Sequence, residues 1–407
     1  MNILNELKLR NILKDITNIE KFKKLKMDEG VYIGFDPTAS SLHLGNYVQI
    51  TILKRFAQAG FKPIAILGGA TGMIGDPSGK SEERNLLLDN ELISNKNKIK
   101  IQLETFGFQV YDNLNTYKNM NIIDFLRSVG KLLNVNYMIS KDVVSSRLET
   151  GISFTEFSYQ LIQGWDFKKL YEKNNVRIQV GGSDQWGNIT AGIEIIRKTI
   201  GEENLAVGIT TKLLTTSNGK KFGKSEGNAL WLDPKMTTPY QLYQFLISST
   251  DKDVDKLLKW LTFIPTEKID KVMKEHNENP SARIAQKKLA FELVKDIHNI
   301  NEAKKAEIIT GVLYGAINIG NLSKEQALSL EGSIPTFSNV KGNILEVLVN
   351  TKLAQSKREA REFIASGGVL INGIKVIDDT YEVKNKNFNG KANIIRRGKK
   401  KTILIKY

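Results

Sequence analysis

The feature that most constrains this chain is a strand, a turn and a helix that follow one another within residues 31–60. Residues 31–35 are apolar, with β-branched and aromatic side chains, and a turn containing Pro37 stops them, which is typical of a buried strand. Residues 47–59 carry apolar side chains at helical spacing and are followed by Gly60. The chain must therefore pass from a strand into a helix within a few residues.

The start of that helix carries two polar side chains that suit a phosphate. His43 and Asn46 lie three residues apart, so a helix places them on one face beside free backbone N–H groups and the positive end of the helix dipole. The alternative is an ordinary capped helix, because a lone histidine is more often structural than catalytic. The pattern predicts a phosphate site and leaves that alternative open.

A second polar segment lies some 180 residues downstream, at residues 215–228. Three glycines make it flexible and three lysines make it cationic: Gly219, Gly223, Gly227, Lys220, Lys221 and Lys224. Such a loop can close over a polyphosphate and stabilise charge as a leaving group forms. The alternative is a solvated, lysine-rich loop without a function. The occurrence of the His43–Asn46 segment earlier in the same chain argues against that alternative.

These two segments together carry a specific resemblance. Residues 43–46 (HLGN) resemble the HIGH signature of the class I aminoacyl-tRNA synthetases, and residues 221–225 (KFGKS) resemble the KMSKS signature of that class. Within the class, residues 68–79, 150–159 and 179–188 are similar to the bacterial tyrosyl-tRNA synthetase family. The similarity runs from about Tyr32 to the C-terminus. It departs at Asn46, where many members have histidine, and at Phe222–Gly223, where the class signature has Met-Ser.

The alternation of strand-like and helical runs up to about residue 215 predicts an α/β fold with a parallel sheet and flanking helices. With the resemblance, we expect a Rossmann-like catalytic domain with a dimer-forming connective segment at residues 1–230. An α-helical domain on the anticodon side follows at 231–320. Residues 321–340, which lack sustained periodicity, are predicted to be a linker, and 341–407 to be a small S4-like α+β RNA-binding domain.

The resemblance implies a two-step reaction with ATP, L-tyrosine and tRNA(Tyr) as substrates. The tyrosine carboxylate attacks the α-phosphorus of ATP, pyrophosphate leaves, and the terminal adenosine of the tRNA then takes the tyrosyl group. The nucleophile is already an anion, so positioning and charge stabilisation must carry the catalysis. By resemblance the catalytic residues are His43, Asn46, Lys221 and Lys224. These four also bind ATP, together with Gly34, Asp36, Gly182 and Asp184.

Recognition of tyrosine follows the same resemblance. The hydroxyl of Tyr32 and the carboxylate of Asp166 are expected to meet the substrate phenol, and a phenylalanine would leave both unpaired. The amino and carboxylate end is expected to contact Asp76, Tyr159, Gln163 and Gln179. Tyr159 could equally be a core aromatic residue. No resident cofactor or metal is expected, and magnesium would accompany ATP.

Charge is concentrated at the C-terminal end. The net charge of the 407 residues is +15, and residues 341–407 hold 15 Lys and Arg against 6 Asp and Glu, so this sixth of the chain contributes 15 − 6 = +9. That concentration is typical of a nucleic-acid-binding end. Ser356 is predicted to cap a short helix before a hairpin that turns at Asn372–Gly373, an arrangement that resembles the S4-like module. The candidate RNA-binding residues are Lys357, Arg358, Arg361, Arg396 and Arg397.

Two further expectations concern assembly and location. Five apolar residues at helical spacing indicate either core or a homodimer interface within residues 113–163, and the resemblance favours the interface: Phe125, Leu126, Val129, Leu132 and Leu133. The chain has no cysteine and no apolar run of eighteen residues, so it is expected to have neither disulfides nor a membrane span, and to be cytoplasmic.

Three other functions compete with this interpretation. A tryptophanyl-tRNA synthetase should lack the paired Tyr32 and Asp166, and a nucleotidyltransferase with a related site should lack the helical and S4-like units. The third is a non-catalytic RNA-binding protein with a decayed synthetase core. Five intact residues argue against it: His43, Asp76, Asp166, Lys221 and Lys224.

Overall fold

The computed structural model describes residues 2–78, 88–149, 151–219, 222–225, 228–314, 317, 319–328, 330–332, 334–384, 388–398 and 401–407. The chain divides into two compact units. The first unit consists of Met1–Met236 and Asp251–Lys274, and the second of Thr237–Thr250 and Glu275–Tyr407.

A mixed six-stranded sheet forms the centre of the first unit, with the strand order β1-β6-β5-β2-β3-β4. Five strands are parallel to their neighbours, and β1 pairs antiparallel with β6 at one edge. The strands are β1 (Leu13–Ile16), β2 (Gly30–Phe35), β3 (Lys62–Leu67), β4 (Gln109–Asp112), β5 (Val176–Gly182) and β6 (Val207–Thr211). The order reverses between β5 and β2, and ligands bind in open α/β sheets at the carboxyl ends of strands that flank such a point.

Helices cover this sheet and the segments that follow it. Up to residue 200 they are α1 (Ile3–Leu9), α2 (Ile19–Lys23), α3 (Leu44–Gln58), α4 (Thr71–Ile74), α5 (Asp89–Thr105), α6 (Leu114–Tyr117), α7 (Ile122–Ser128), α8 (Val135–Ile139), α9 (Asp142–Ser145), α10 (Phe154–Lys173) and α11 (Trp186–Ile200). Then come the short strands β7 (Lys224–Ser225) and β8 (Asn228–Ala229) and the helices α12 (Pro239–Ile247), α13 (Asp251–Leu261), α14 (Thr266–Glu278), α15 (Ile284–Ile297) and α16 (Ile300–Leu313).

The sequence prediction of an α/β catalytic domain is confirmed in its architecture: residues 31–35, 64–67 and 176–180 lie in β2, β3 and β5, and residues 47–58 lie in α3. The edge strand β1 was not predicted, because it has only four residues, and two adjacent polar residues, Lys14 and Asp15, give it no alternating pattern.

The second unit joins helices α12, α15 and α16 to a small α+β region. After α17 (Lys324–Leu328) come α18 (Ile344–Asn350) and α19 (Lys357–Ala365), with the strands β9 (Thr336–Ser338), β10 (Gly342–Asn343), β11 (Val369–Ile371), β12 (Ile374–Lys375), β13 (Glu382–Val383), β14 (Ala392–Arg397) and β15 (Lys401–Lys406). A five-stranded sheet has the order β12-β11-β14-β15-β9. The Ser356 side chain accepts a hydrogen bond from the backbone N–H of Glu359, so the predicted cap is confirmed.

The structure differs from the predicted domain bounds in two places. Residues 321–340 contribute β9 to the sheet, and Leu322, Leu330 and Ile334 are buried in a core shared with Ile309 of α16. This segment is therefore packed, because its isolated apolar residues fill gaps that sequence periodicity does not reveal. The helical domain predicted at 231–320 is also divided, since α13 packs against α3 in the first unit.

Within the part of the chain that the structure describes, no helix combines the length and the apolar character that crossing a bilayer requires.

Candidate active site

A cleft opens at the carboxyl ends of β2 and β5, at the point where the strand order reverses. It has a volume of about 320 Å³, enough for a small ligand. Most of the predicted substrate residues line it: Tyr32, Gly34, Asp36, His43, Asn46, Asp76, Tyr159, Gln163, Asp166, Gln179 and Asp184. Residues separated by about 150 positions in sequence thus meet in one cavity, because parallel strands present their carboxyl ends at the same edge of the sheet.

One end of the cleft holds a tyrosine hydroxyl and a carboxylate, both buried. Tyr32 is 2% exposed, and among the described residues its hydroxyl has no hydrogen-bond partner. The Asp166 carboxylate is 2% exposed and accepts hydrogen bonds from Asn113 Nδ2 at 2.9 Å and from the Tyr117 hydroxyl at 2.8 Å. A buried hydroxyl without a partner is costly, so this end of the cleft is built to meet a polar ligand group.

Burial is the main cause of the raised pKa values of Asp166 and Tyr32. It raises the pKa of Asp166 to about 7, against the lowering effect of the Asn113 and Tyr117 hydrogen bonds and with a further rise from the negative charge of Asp36. Burial and the nearby Asp166 raise the pKa of Tyr32 well above its ordinary value. The Tyr32 side chain is therefore a neutral hydroxyl that can both donate and accept a hydrogen bond.

The middle of the cleft holds Asp76 in a fixed position. Its Oδ1 accepts from the backbone N–H of Ser78 at 2.9 Å, and its Oδ2 accepts from Gln185 Nε2 at 2.7 Å. Gln163 Nε2 donates in turn to Gln185 Oε1 at 3.4 Å. The buried Gln179 keeps Oε1 without a partner among the described residues. A carboxylate with an amide oxygen in the same cavity provides acceptors for a ligand ammonium group.

A chain of hydrogen bonds links Asp36 to Asp166 in the cleft. Asp36 Oδ1 accepts from the Thr71 hydroxyl at 2.7 Å, and Asn113 Nδ2 lies 3.2 Å from the Thr71 hydroxyl oxygen while it also reaches Asp166. The Tyr159 hydroxyl donates to Asp36 Oδ2 at 3.3 Å. Tyr159 is thus both buried and a polar member of the site, which favours the functional alternative for this residue over a purely core role.

His43 and Asn46 cap each other at the start of α3. His43 Nδ1 accepts from the backbone N–H of Asn46 at 3.2 Å, and Asn46 Oδ1 accepts from the backbone N–H of His43 at 3.0 Å. The capped-helix alternative is therefore correct as a description of the local structure. The cap also has a chemical consequence. Because Nδ1 accepts, a neutral His43 carries its proton on Nε2, and Asn46 keeps its amide hydrogens for other partners. Both side chains can thus act as donors in the cleft.

The second signature segment lies directly against the first. The backbone N–H of Leu44 donates to the carbonyl of Leu230 at 2.7 Å, and that of Leu232 donates to the carbonyl of Leu42 at 2.8 Å. The segment after the loop therefore runs beside the start of α3. Lys221 lies outside the described residues, and for Lys224 the structure describes the backbone alone, in β7.

Gly182 ends β5 next to Asp184, and a Cβ at this glycine would lie 2.5 Å from Asp184 Oδ1.

Helix α13 holds the first limb of the loop at residues 215–217. Asp253 accepts from the backbone N–H of Ser217 at 2.7 Å and from its hydroxyl at 3.1 Å, and Lys256 Nζ donates to the Thr215 carbonyl. The far end of α13 is bound by two buried arginines: Arg55 donates to the Thr262 carbonyl at 2.6 Å, and Arg10 to the Lys259 carbonyl at 2.9 Å. Both ends of this helix are thus fixed to the first unit.

Sequence reasoning missed several members of this site. Asn113, Tyr117, Thr71 and Gln185 act through other polar residues, and three of them lie in short turns or helices without a periodic pattern. Thr71 and Gln185 stand inside the family-like stretches 68–79 and 179–188, and these stretches were the only signal in the sequence that could have identified them. Among the described residues, no group of three or more histidines and carboxylates is placed to hold a metal ion.

The candidate RNA-binding residues of the second unit fall into two groups. Lys357, Arg358 and Arg361 lie on α19 and are more than half exposed, with ion pairs to Glu346, Glu362 and Asp379. Arg396 and Arg397 differ, because each donates to a backbone carbonyl, that of Leu313 at 3.1 Å and that of Leu353 at 2.7 Å. The structure therefore gives these two arginines a part in packing the second unit.

Comparison with known protein families gives two matches. Residues 23–314 match the family of class I tRNA synthetases for tryptophan and tyrosine. Residues 326–405 match the C-terminal domain family of tyrosine–tRNA ligases of the SYY-like type. Together the two families cover nearly all of the chain.

Individual relatives extend over the full length. The chain is 51% identical over 407 residues to the tyrosine–tRNA ligase of Mycoplasmopsis synoviae, covering 99% of each protein. It is 51% identical to that of Ureaplasma urealyticum, covering 99% of this chain and 98% of the relative. Among solved structures, a C-terminally truncated mitochondrial tyrosyl-tRNA synthetase of Aspergillus nidulans is 32% identical, with a TM-score of 0.68 over 77% of this chain and 94% of that one.

Proposed function

The chain belongs to the class I tRNA synthetases, in their tyrosine–tRNA ligase branch, and we propose that it joins L-tyrosine to tRNA(Tyr) using ATP. The observation that carries the choice of amino acid is the buried pair at the end of the cleft. Tyr32 offers a hydroxyl without a partner among the described residues, and Asp166 offers a carboxylate oriented by Asn113 and Tyr117. A phenol can donate to the carboxylate and accept from the hydroxyl, whereas an indole N–H or a phenyl ring cannot do both.

In the first step a carboxylate oxygen of tyrosine forms a bond to the α-phosphorus of ATP, and the bond from that phosphorus to the bridging oxygen of pyrophosphate breaks. Asp76 and Gln179 hold the amino end of tyrosine, with Tyr159 and Gln163 beside them. Fixing both reactants in line removes most of the entropic part of the barrier. No general base is required, because the attacking carboxylate is already ionised.

The nucleotide lies along β2 and β5 in this proposal, with Gly34 and Asp36 on one side and Gly182 and Asp184 on the other. His43 Nε2–H and the Asn46 amide donate to phosphate oxygens, which the reciprocal cap of α3 supports because the cap uses His43 Nδ1 and Asn46 Oδ1 as acceptors. Lys221 and Lys224 neutralise the charge that develops on pyrophosphate. Magnesium enters as part of the ATP substrate.

In the second step the ribose hydroxyl of the terminal adenosine attacks the carbonyl carbon of tyrosyl-adenylate, and AMP leaves. The tRNA is held by the second unit, whose C-terminal part we propose to be an S4-like module. The exposed cations of α19 support this: Lys357, Arg358 and Arg361 lie on one short helix with an amphipathic pattern.

We also propose that two copies associate through the connective segment. The predicted apolar stripe divides into two parts, because Val129 and Leu133 are buried in the chain's own core while Leu126 is 45% exposed. Ile122 and Ile123 on the same helix are 65% and 67% exposed. Neighbouring exposed apolar side chains of this kind mark protein interaction sites.

ATP–pyrophosphate exchange tests the proposed activity, with each of the common amino acids supplied separately to the full chain. Tyrosine alone is expected to support exchange, and subsequent charging of tRNA(Tyr) should require it. Exchange with tryptophan would instead favour the other branch of the family, and RNA binding without any exchange would favour a protein that has kept the fold and lost the chemistry.

A further inference from the structure

The two signature segments meet at a pair of glycines, Gly45 and Gly223. A Cβ atom at Gly223 would lie 2.6 Å from the backbone nitrogen of Gly45 and 3.1 Å from its Cα. Both neighbours are backbone atoms of the first turn of α3, so they cannot move aside as a flexible side chain could. Position 223 also has a φ of +96°, a conformation that glycine adopts readily and other residues rarely do.

Backbone hydrogen bonds fix Gly223 in this place. The N–H of Phe222 donates to the carbonyl of Leu214 at 3.0 Å, which closes the loop from one side. The N–H of Leu230 donates to the carbonyl of Gly223 at 3.3 Å, and the carbonyl of Leu230 accepts from Leu44. Gly223 therefore lies directly against α3 and is also connected to it by hydrogen bonds through Leu230.

The Gly45 side of the contact is just as close. A Cβ at Gly45 would lie 2.8 Å from Cε1 of His43 and 3.5 Å from the carbonyl oxygen of Phe222. The ring of His43 thus lies over the same glycine that faces Gly223. The imidazole at the first signature and the backbone of the second are fixed relative to each other through one residue without a side chain.

We propose that Gly223 is a positioning residue for adenylate formation, an inference that rests on the proposed function. Its missing side chain lets the second signature lie directly on the first turn of α3, so that Lys224, the next residue, starts from a fixed point beside His43 and Asn46. A side chain at this position would separate the two signatures. This accounts for the departure from the class signature, which has serine where this chain has Gly223.

The chain offers a matched control for the test. Gly107 lies between α5 and β4, away from the residues that line the cleft, and also has a positive φ, of +83°, but a Cβ there would have no atom within 4 Å. Gly223→Ala and Gly107→Ala therefore share the backbone cost of alanine at positive φ. Only Gly223→Ala introduces a clash with α3.

The measurements are the single-turnover rate of tyrosyl-adenylate formation and the equilibrium affinity for tyrosine, with the full chain. Gly223→Ala should lower the rate about 10²-fold, the size expected when reacting groups are displaced by about 1 Å, while the tyrosine affinity stays at the wild-type value. Gly107→Ala should stay within about two-fold of the wild type in both. Gly223→Ser, which restores the residue of the class signature, should behave like Gly223→Ala because its Cβ occupies the same position.

Three outcomes would overturn the proposal. Gly223→Ala could form adenylate as fast as Gly107→Ala, or it could lose tyrosine affinity as much as rate, which would indicate general damage to the unit. Gly223→Ser could be fully active, which would show that the loop tolerates a Cβ there. Failure of the wild-type chain to form adenylate from tyrosine would refute the proposed function itself. Because the same assay measures the wild type and the variants separately, the two failures can be distinguished.

Discussion

At the scale of single residues, the candidate site contains a buried carboxyl group that lowers the stability of the fold when it is ionised. Asp166 is buried, and its pKa is raised to about 7 chiefly by that burial. The folded chain therefore retains a proton on this carboxyl that the unfolded chain releases near pH 4. The stabilising effect of that retained proton is complete below pH 4 and is lost as the pH rises to about 7. Above pH 7 the ionised carboxylate is ready to accept a phenol hydrogen bond, in a fold that tolerates it poorly.

Asp166→Asn should therefore stabilise the chain more at pH 8 than at pH 5. The amide Oδ1 can still accept from Asn113, and Tyr117 can donate to the Ile162 carbonyl, which it already reaches at 2.7 Å. Urea unfolding should show a difference between the two pH values on the order of a few kcal/mol, as expected for a pKa raised by several units. A stability difference that does not change with pH would contradict the assigned cause.

The cap at the start of α3 allows the structural and chemical roles of Asn46 to be separated. Asn46→Asp keeps an oxygen that accepts from the His43 N–H, and a negative charge in the first helical turn is favourable. The thermal midpoint should therefore hold near the wild-type value. Adenylate formation should fall at least about ten-fold, because a phosphate donor is replaced by an anion. Equal losses in both measurements would mean that the side chain is structural only.

The residues of the phenol end show how far sequence reaches at this scale. Tyr32 and Asp166 could be predicted because each lies in or near a stretch with family character. Asn113 and Tyr117 could not be predicted. They lie some 50 residues before Asp166 in the sequence, and no local pattern indicates that the fold brings them to the same pocket. The donor property of His43 likewise depends on a tautomer that only the cap geometry fixes.

At the scale of elements, α13 connects the loop of the second signature to the body of the first unit. Its start binds Ser217 through Asp253, and its end is held by Arg10 and Arg55. The sequence predicted an α-helical domain at residues 231–320, which include α13. Its membership of the first unit could not be predicted, because it follows a helix of the second unit after only three residues.

Asp253→Ala should loosen the first limb of the loop without altering the tyrosine pocket. Limited trypsin digestion should cut within residues 215–228 several-fold faster than in the wild type, while tyrosine affinity stays unchanged. The control is Asp255→Ala, two residues along the same helix, whose carboxylate is partly exposed and pairs with Lys259. Asp253→Asn should behave nearly as the wild type, since Oδ1 can still accept from the Ser217 N–H. Equal digestion of all four proteins would refute the anchoring role.

At the scale of the whole molecule, the candidate active site and the concentrated positive charge belong to different units. The cleft lies entirely in the first unit, and the concentrated positive charge lies in the second. The position of this charge could be predicted from the sequence, because the net charge of a segment is the sum over its residues and does not depend on the fold. The linker at 321–340 was misjudged, because Leu322, Leu330 and Ile334 are buried by a sheet that forms from distant residues. The cytoplasmic location, the dimer and the identities of the RNA-binding residues stay predictions.

Neutralising Lys357, Arg358 and Arg361 together by glutamine should weaken tRNA binding and leave tyrosine activation intact. Each phosphate contact that is lost should reduce the slope of log affinity against log salt by about one unit. The matched control replaces Lys8, Lys23 and Lys62, three exposed lysines of the first unit, and so makes the same change in net charge. An unchanged salt slope in the α19 variant, or an equal change in the control, would show that this helix does not contact tRNA.

Dimer formation is tested by light scattering at micromolar concentration. The wild type should give about twice the mass of one chain, which is 45.7 kDa, and a variant with Ile122→Asp and Ile123→Asp should give the mass of one chain. A wild-type mass near that of a single chain would contradict the proposed interface.

In the proposed function, Tyr32 and Asp166 select tyrosine by its hydroxyl. The most direct test of this selection is the ratio of kcat/KM for tyrosine to that for phenylalanine in ATP–pyrophosphate exchange, in the wild type and in Tyr32→Phe. We predict a large ratio in the wild type and a fall of about ten-fold in the variant, the effect of one buried hydrogen bond, with the KM for ATP unchanged. A ratio that is the same in both proteins would contradict the account.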